Sequence, residues 1–232
     1  MKQKFIRGLW GIYDNSNKIL QRRYRMDQDI QRILDNKFNT EFMTYVMGKE
    51  NQRMLKEKGI ESILIWDEPF KFDLVKHQYR HKLEIINHAM HNDNIEELIF
   101  LDWDCVPQKN VPDDFWGQMN KREKIQACLQ SYRRRKCHWR QTDLRKVPNG
   151  GFVYLRDKDL ATDSIEWWDK LGRQDNDEPS WAKMIDEMCG GWPGIDYYWE
   201  HFEAMFCNLW RDSAFDKNRL KEKDQCFVHY QG

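Results

Sequence analysis

The feature that most constrains this chain is a series of short apolar runs, continuous rather than alternating, separated by stretches with helical spacing. Phe5 to Tyr13 reads as a first strand, stopped by Asp14, Asn15, Ser16 and Asn17. Phe42–Met47 ends at Gly48, Ser62–Trp66 ends at Asp67 and Glu68, and Leu98–Leu101 runs straight into acidic residues. Between them, Ile30, Ile33 and Leu34 have helical spacing, and Asn51 to Lys58 reads as a short helix closed by Gly59. Tyr79, Leu83, Ile86 and Met90 mark one face of a longer helix from about Leu74 to His91. Strands that are apolar on every residue are buried on both faces, and alternation with helices makes the sheet parallel. Ligands of such sheets bind beyond the carboxyl ends of the strands, so chemistry belongs to the residues that follow each run.

The second half is less regular. Lys124–Ser131 and Phe152–Leu155 read as strands, with helices at Ser164–Leu171, at Trp181–Met188 and from about Tyr197 to Trp210. No repeat, low-complexity tract or linker divides the 232 residues, so a single domain is expected.

Composition narrows the function classes. Aromatic residues make up 14% of the chain, too many for one unable to bury a core, although mean hydropathy is low at -0.93. Thirty-eight basic residues balance 38 acidic ones, so the whole molecule is not a polycation built for nucleic acid. No apolar run reaches the roughly 20 residues of a membrane span, and nothing near Met1 has a signal-peptide core; a cytoplasmic location is expected. The six cysteines are scattered without a C-x-x-C pair, which reads as buried thiols in a reducing compartment.

The sharpest motif is Leu98-Ile99-Phe100-Leu101-Asp102-Trp103-Asp104. In an extended backbone, Asp102 and Asp104 point to one side while Trp103 faces away. Two carboxylates so placed repel unless a cation or proton lies between them, and hard oxygen ligands suit Mn²⁺ or Mg²⁺. The haloacid-dehalogenase-like phosphatases also place Asp-x-Asp after an apolar strand, with Asp102, Asp104 and Val106 fitting. That motif ordinarily follows the first strand, however, and here three candidate strands precede it.

A second resemblance extends across the chain. The sequence resembles nucleotide-sugar glycosyltransferases of the GT-A fold, whose D-x-D also ends a mid-chain strand. Pro148-Asn149-Gly150-Gly151-Phe152 looks like the Asn-x-Gly segment beside the donor sugar. Trp192-Pro193-Gly194-Ile195-Asp196 looks like the loop whose acid approaches the anomeric centre, and Val228-His229-Tyr230 like the histidine segment that returns to the metal. The resemblance implies a Rossmann-like, mostly parallel central sheet flanked by helices, with residues 1–107 forming a nucleotide-binding half and 108–232 an acceptor and sugar half. It implies a nucleotide-diphosphate sugar as donor and Mn²⁺ or Mg²⁺ as cofactor, held by Asp102, Asp104 and His229. Asp196, the candidate catalytic residue, would be a base for the acceptor or a partner for donor hydroxyls, unless it merely caps the helix that follows. Arg7, Lys82, Trp103, Asn149, Gly150 and Gly151 would bind the donor; the competing reading of Asn149-Gly150 is a turn before a strand. On the helix of 74–91, Arg80 and Lys82 lie off the apolar face, and His77, His81, His88 and His91 read as a solvated face.

Residues 132–146 carry seven Lys or Arg against one acid, interleaved with Tyr132 and Trp139. Backbone phosphates and unstacked bases call for such a pattern. Arg133, Arg134, Arg135 and Trp139 are therefore candidate acceptor-binding residues, for a nucleic-acid base or an anionic glycan. A nucleic-acid-binding module with a structural acidic pair is the rival from a different class.

Overall fold

The computed structural model describes residues 2–10, 28–35, 37–68, 79–120, 125–131, 146–171, 181, 184, 207–210 and 226–230. Six strands form the main sheet: β1 (Gln3–Leu9), β2 (Phe42–Met47), β3 (Ile63–Trp66), β4 (Glu97–Leu101), β6 (Ile125–Ser131) and β7 (Lys146–Leu155). Their order is β3-β2-β1-β4-β7-β6. The pairs β1–β2, β2–β3 and β1–β4 are parallel, whereas β7 is antiparallel to both β4 and β6. Five strands thus point one way and β7 alone the other. A second sheet joins β5 (Cys105–Pro107), β9 (Phe227–Tyr230) and β8 (Cys207–Trp210), in the order β5-β9-β8. The helices are a short one over 28–34 (α1), α2 (Lys49–Glu57), α3 (Arg80–His91), α4 (Phe115–Asn120) and α5 (Lys158–Leu171).

Alternation along the strands explains why their runs are continuous. Leu98 and Phe100 of β4 pack with Ile6 of β1 against Leu83 and Ile86 of α3 and Leu160 of α5. Ile99 and Leu101 face the other way, with Phe5, onto Phe115 of α4 and Phe227 of β9. A third cluster joins Leu9 and Val46 to Ile30 of α1 and Leu55 of α2. Both faces are dry, so a polar residue on either would be buried.

Several expectations hold closely. β2 has the expected limits, β4 begins one residue early, and α2 ends where Gly59 takes φ +78°, a left-handed conformation that suits glycine. Others need correction. β1 ends at Leu9, and 11–13 lie outside the described residues. β7 begins at Lys146 rather than at Phe152 and so absorbs the Asn149-Gly150 segment, whose competing reading was a turn before the strand. The helix expected over Tyr197–Trp210 is contradicted at its end: Cys207–Trp210 is strand β8, held in parallel register on β9. Its apolar residues satisfy a helical stripe and a buried strand equally, and the backbone hydrogen bonds offered by β9 decide. The remainder of that segment lies outside the described residues, as does most of 181–188, although Trp181 and Met184 are helical and buried.

Candidate active site

The strand order reverses between β1 and β4: the chain steps outward from β1 through β2 to β3, then returns to add β4 on the other flank. A crevice opens beyond the carboxyl ends of strands at such a point. Asp102 follows β4 there. Its amide donates to the Gly151 carbonyl at 2.9 Å, and the Cys105 amide donates to the Asp102 carbonyl at 2.9 Å. The second bond closes a turn over Asp102–Cys105, which corrects the extended Asp-x-Asp expected from sequence. The reason is local: β5 starts at Cys105 in a different sheet, so the chain must change direction within the motif.

Trp103 turns back onto β1. Its indole N–H donates to the Gly8 carbonyl at 2.8 Å, and its ring rests against the cluster of Leu9 and Val46. Arg7 lies beneath it, with the guanidinium carbon 5.2 Å from the Trp103 ring and 3.5 Å from the Phe42 ring. Arg7 is only 3% exposed, and its Nε is buried with no hydrogen-bond acceptor among the described residues. Burial pulls its pKa down to about 9, with Cys105 opposing, so the group remains charged at neutral pH.

Lys82 is the largest departure from expectation on α3. It is 1% exposed rather than lying off the apolar face, because position 82 shares a helical face with buried Ile85, Ile86 and Ala89. Its Nζ lies 3.0 Å from Asp102 Oδ1 and donates to the Gly150 carbonyl at 3.0 Å. One buried ammonium therefore ties the acidic turn to the glycine segment. Arg80 points elsewhere, to Glu84 on its own helix and to Asp169 of α5 at 3.2 Å. His81 is also buried, against the solvated face expected, while His91 is exposed as expected. Tyr79, the first residue of the supposed apolar stripe, is 37% exposed. His77 is outside the described residues.

The glycine segment is shaped by its neighbours. β7 pairs with β6 at Ala127↔Val153 and next at Cys128↔Asn149, so residues 150–152 bulge out of that ladder. Phe152 pairs instead with Leu101 of β4, and Gly150 and Gly151 meet Lys82 and Asp102 through their carbonyls. Sequence reasoning grouped Asn149, Gly150 and Gly151 with the acidic pair; the two glycine carbonyls now join them by hydrogen bonds.

β5 brings in the third expected metal ligand at backbone level. Cys105 is the register partner of His229, so His229 is held on β9 opposite the residue that follows Asp104. Among the described residues, no three metal-ligating side chains cluster. Cys105 and Cys226 are buried free thiols, as scattered cysteines suggested. Asp196, Arg133, Arg134, Arg135 and Trp139 lie outside the described residues. Lys146 and Ser131, which flank the basic segment, are register partners, so that segment joins β6 to β7.

No protein-family model matches the chain, and no curated protein matches it by sequence. Solved structures do match its fold. The crystal structure of a glycosyltransferase involved in glycosylation of the major capsid of PBCV-1 aligns over 100% of this chain and 94% of its own, with TM-score 0.52 and 8% identity. Mouse xyloside xylosyltransferase 1 aligns over 100% and 98%, with TM-score 0.50 and 12% identity. The galactosyltransferase LgtC, solved with donor and acceptor sugar analogues, aligns over 99% and 87%, with TM-score 0.54 and 10% identity. The fold is that of the GT-A glycosyltransferases, a mixed α/β domain with a mostly parallel sheet flanked by helices. Among the described residues no helix is long and apolar enough to cross a membrane.

Proposed function

We propose that this chain is a divalent-metal-dependent glycosyltransferase, moving a sugar from a nucleotide-diphosphate sugar to an acceptor. The observation that carries the reading is the register of Cys105 with His229, which sets a histidine strand against the Asp102–Cys105 turn at the sheet's switch point. Two carboxylates and an imidazole form a donor set that fits Mn²⁺ or Mg²⁺, with open positions for diphosphate oxygens. Asp102, Asp104 and His229 would hold the ion, which when bound would neutralise charge on the departing diphosphate. Lys82 would orient Asp102 and offer a positive field where the leaving group's charge develops. Gly150 and Gly151, together with Asn149, would border the sugar, and Asp196 would supply the acid near the anomeric carbon. The two halves, 1–107 and 108–232, would then form one domain around the crevice. The solved relatives of the same fold are glycosyltransferases, which supports sugar transfer.

The haloacid-dehalogenase reading gains no support, because the acidic pair follows the fourth strand rather than the first. For the acceptor, the reading is a polyanion, either a nucleic-acid base or an anionic glycan. β6 runs in the same direction as β4, so the basic segment leaves the sheet at the same pole as the acidic turn.

The test is metal-dependent hydrolysis of a panel of nucleotide-sugars, with Mn²⁺-dependent thermal shifts by nucleoside diphosphates alongside. Hydrolysis that requires Mn²⁺ and disappears in Asp104→Ala supports the reading. Phosphate release from simple monoesters points to the phosphatase, and no turnover of either substrate points to a binding module.

A further inference from the structure

Trp103 separates the two aspartates, and a residue so placed could serve as a platform for the donor or as a fastening for the turn. The geometry points to the fastening: we infer that Trp103 and Arg7 are positioning residues that hold the Asp102–Cys105 turn in its metal-binding shape. The inference rests on the proposed metal site and deepens it.

Three observations carry it. The Trp103 indole N–H, the group's sole hydrogen-bond donor, is already committed to the Gly8 carbonyl at 2.8 Å on β1. The ring is half-buried against the cluster of Leu9 and Val46, so much of its surface is covered by protein. The Arg7 guanidinium carbon lies 3.5 Å from the Phe42 ring and 5.2 Å from the Trp103 ring, and the residue is 3% exposed, although a guanidinium with no acidic partner among the described residues would be far better solvated at the surface. A buried cation without an acidic partner among the described residues is a costly feature. Cation–π attraction to two rings is the compensation present, and it draws Trp103 down onto β1. The turn that carries the two flanking aspartates is thereby tied to β1 through the residue between them.

The residue that fixes the turn is therefore the one between the carboxylates. Loosening it spreads the conformations of both ligands, which lowers metal affinity without removing a ligand. A donor platform predicts the opposite pattern, in which nucleotide affinity falls and metal affinity stays.

The experiment measures Mn²⁺ binding by the electron paramagnetic resonance signal of the free ion, without any nucleotide. Trp103→Phe keeps an aromatic ring over Arg7 but loses the N–H bond, and its Mn²⁺ dissociation constant should rise roughly five-fold, as expected for one neutral hydrogen bond. Arg7→Lys keeps the charge but not the planar stack, and should weaken Mn²⁺ in the same direction. UDP and GDP binding at saturating Mn²⁺ should change less than two-fold in both (~0.4 kcal/mol). If Trp103→Phe and Arg7→Lys bind Mn²⁺ as wild type does, the inference is overturned and the metal reading survives. If nucleotide binding at saturating Mn²⁺ collapses instead, Trp103 is a platform and the inference is again overturned. Absence of Mn²⁺ binding by the wild type removes the metal reading itself. Should Trp103→Phe fail to fold, Arg7→Lys decides the matter.

Discussion

Lys82 Nζ lies 3.0 Å from Asp102 Oδ1, and the lysine is 1% exposed whereas the aspartate side chain is 26% exposed. The pair is therefore half in water. Deleting one partner of a fully buried pair costs about 3–5 kcal/mol, and the exposure of Asp102 lowers that to about 1–3 kcal/mol. Lys82→Met should reduce the melting temperature by roughly 2–12 °C, given about 2–4 °C per kcal/mol for a chain of this size. Asp102→Asn in the same protein should return part of that loss, because the remaining charge is removed. Calorimetry of the two single variants and the double variant checks this; strict additivity would mean that the pair does not interact.

Arg7 makes a prediction of opposite sign. Its folded pKa is pulled to about 9, below its unfolded value, so below pH 9 the folded state carries a charge that burial disfavours. Arg7→Met removes that cost and the weaker cation–π gain, so at pH 7 the variant should melt a few degrees higher than wild type. The folded protein releases the proton first as pH rises past 9, which relieves the wild type. The difference in melting temperature should shrink between pH 7 and pH 10. A lower melting temperature for the variant would reveal an acidic partner for Arg7.

Gly8 of β1 faces Ile85 of α3. A Cβ at this position would collide with Ile85 Cδ1, and Ile85 is fully buried. Gly8→Ala should therefore cost about 1–3 kcal/mol through overpacking. Ile85→Val removes the offending methyl, and the double variant should recover most of the loss. Chemical denaturation provides the measurement, and an unrescued double variant would locate the clash elsewhere, with Trp10 at 3.3 Å the next contact.

The acceptor reading predicts a salt dependence. If a polyanion lies along the seven basic residues of 132–146, the logarithm of its affinity should fall against log salt with a slope of about -4 to -6. Replacing Arg133, Arg134 and Arg135 together by Ser should make the slope about 3 shallower. Fluorescence anisotropy with single-stranded and duplex oligonucleotides, against a neutral oligosaccharide, gives the comparison. Equal affinity for the neutral sugar, with no salt dependence, would rule out the nucleic-acid acceptor.

How far the sequence could be read depended on whether one physical cause fixed each segment. β2 ends at Gly48 and α2 turns at Gly59, because glycine tolerates backbone that other residues resist. β4 was legible because a strand covered on both faces must be apolar throughout. Lys82 was misread because charge was given more weight than helical phase: it stands three and four positions before Ile85 and Ile86, squarely on the buried face. β8 was misread because Leu209 and Trp210 fit either period, and only pairing with β9 distinguishes the two. The turn at Asp102 depends on a second sheet that no local pattern announced. The grouping of the acidic pair with the glycine segment was legible through resemblance, but the lysine that ties them was assigned to the donor instead.

β5 lies at the edge of the small sheet, with β9 as its one partner there, and β9 follows every other described strand in the chain. A polypeptide emerging from the ribosome would therefore have its acidic turn before it had anything to brace the downstream arm. A premature stop before Phe227 would leave β5 without its partner strand and the proposed site without His229.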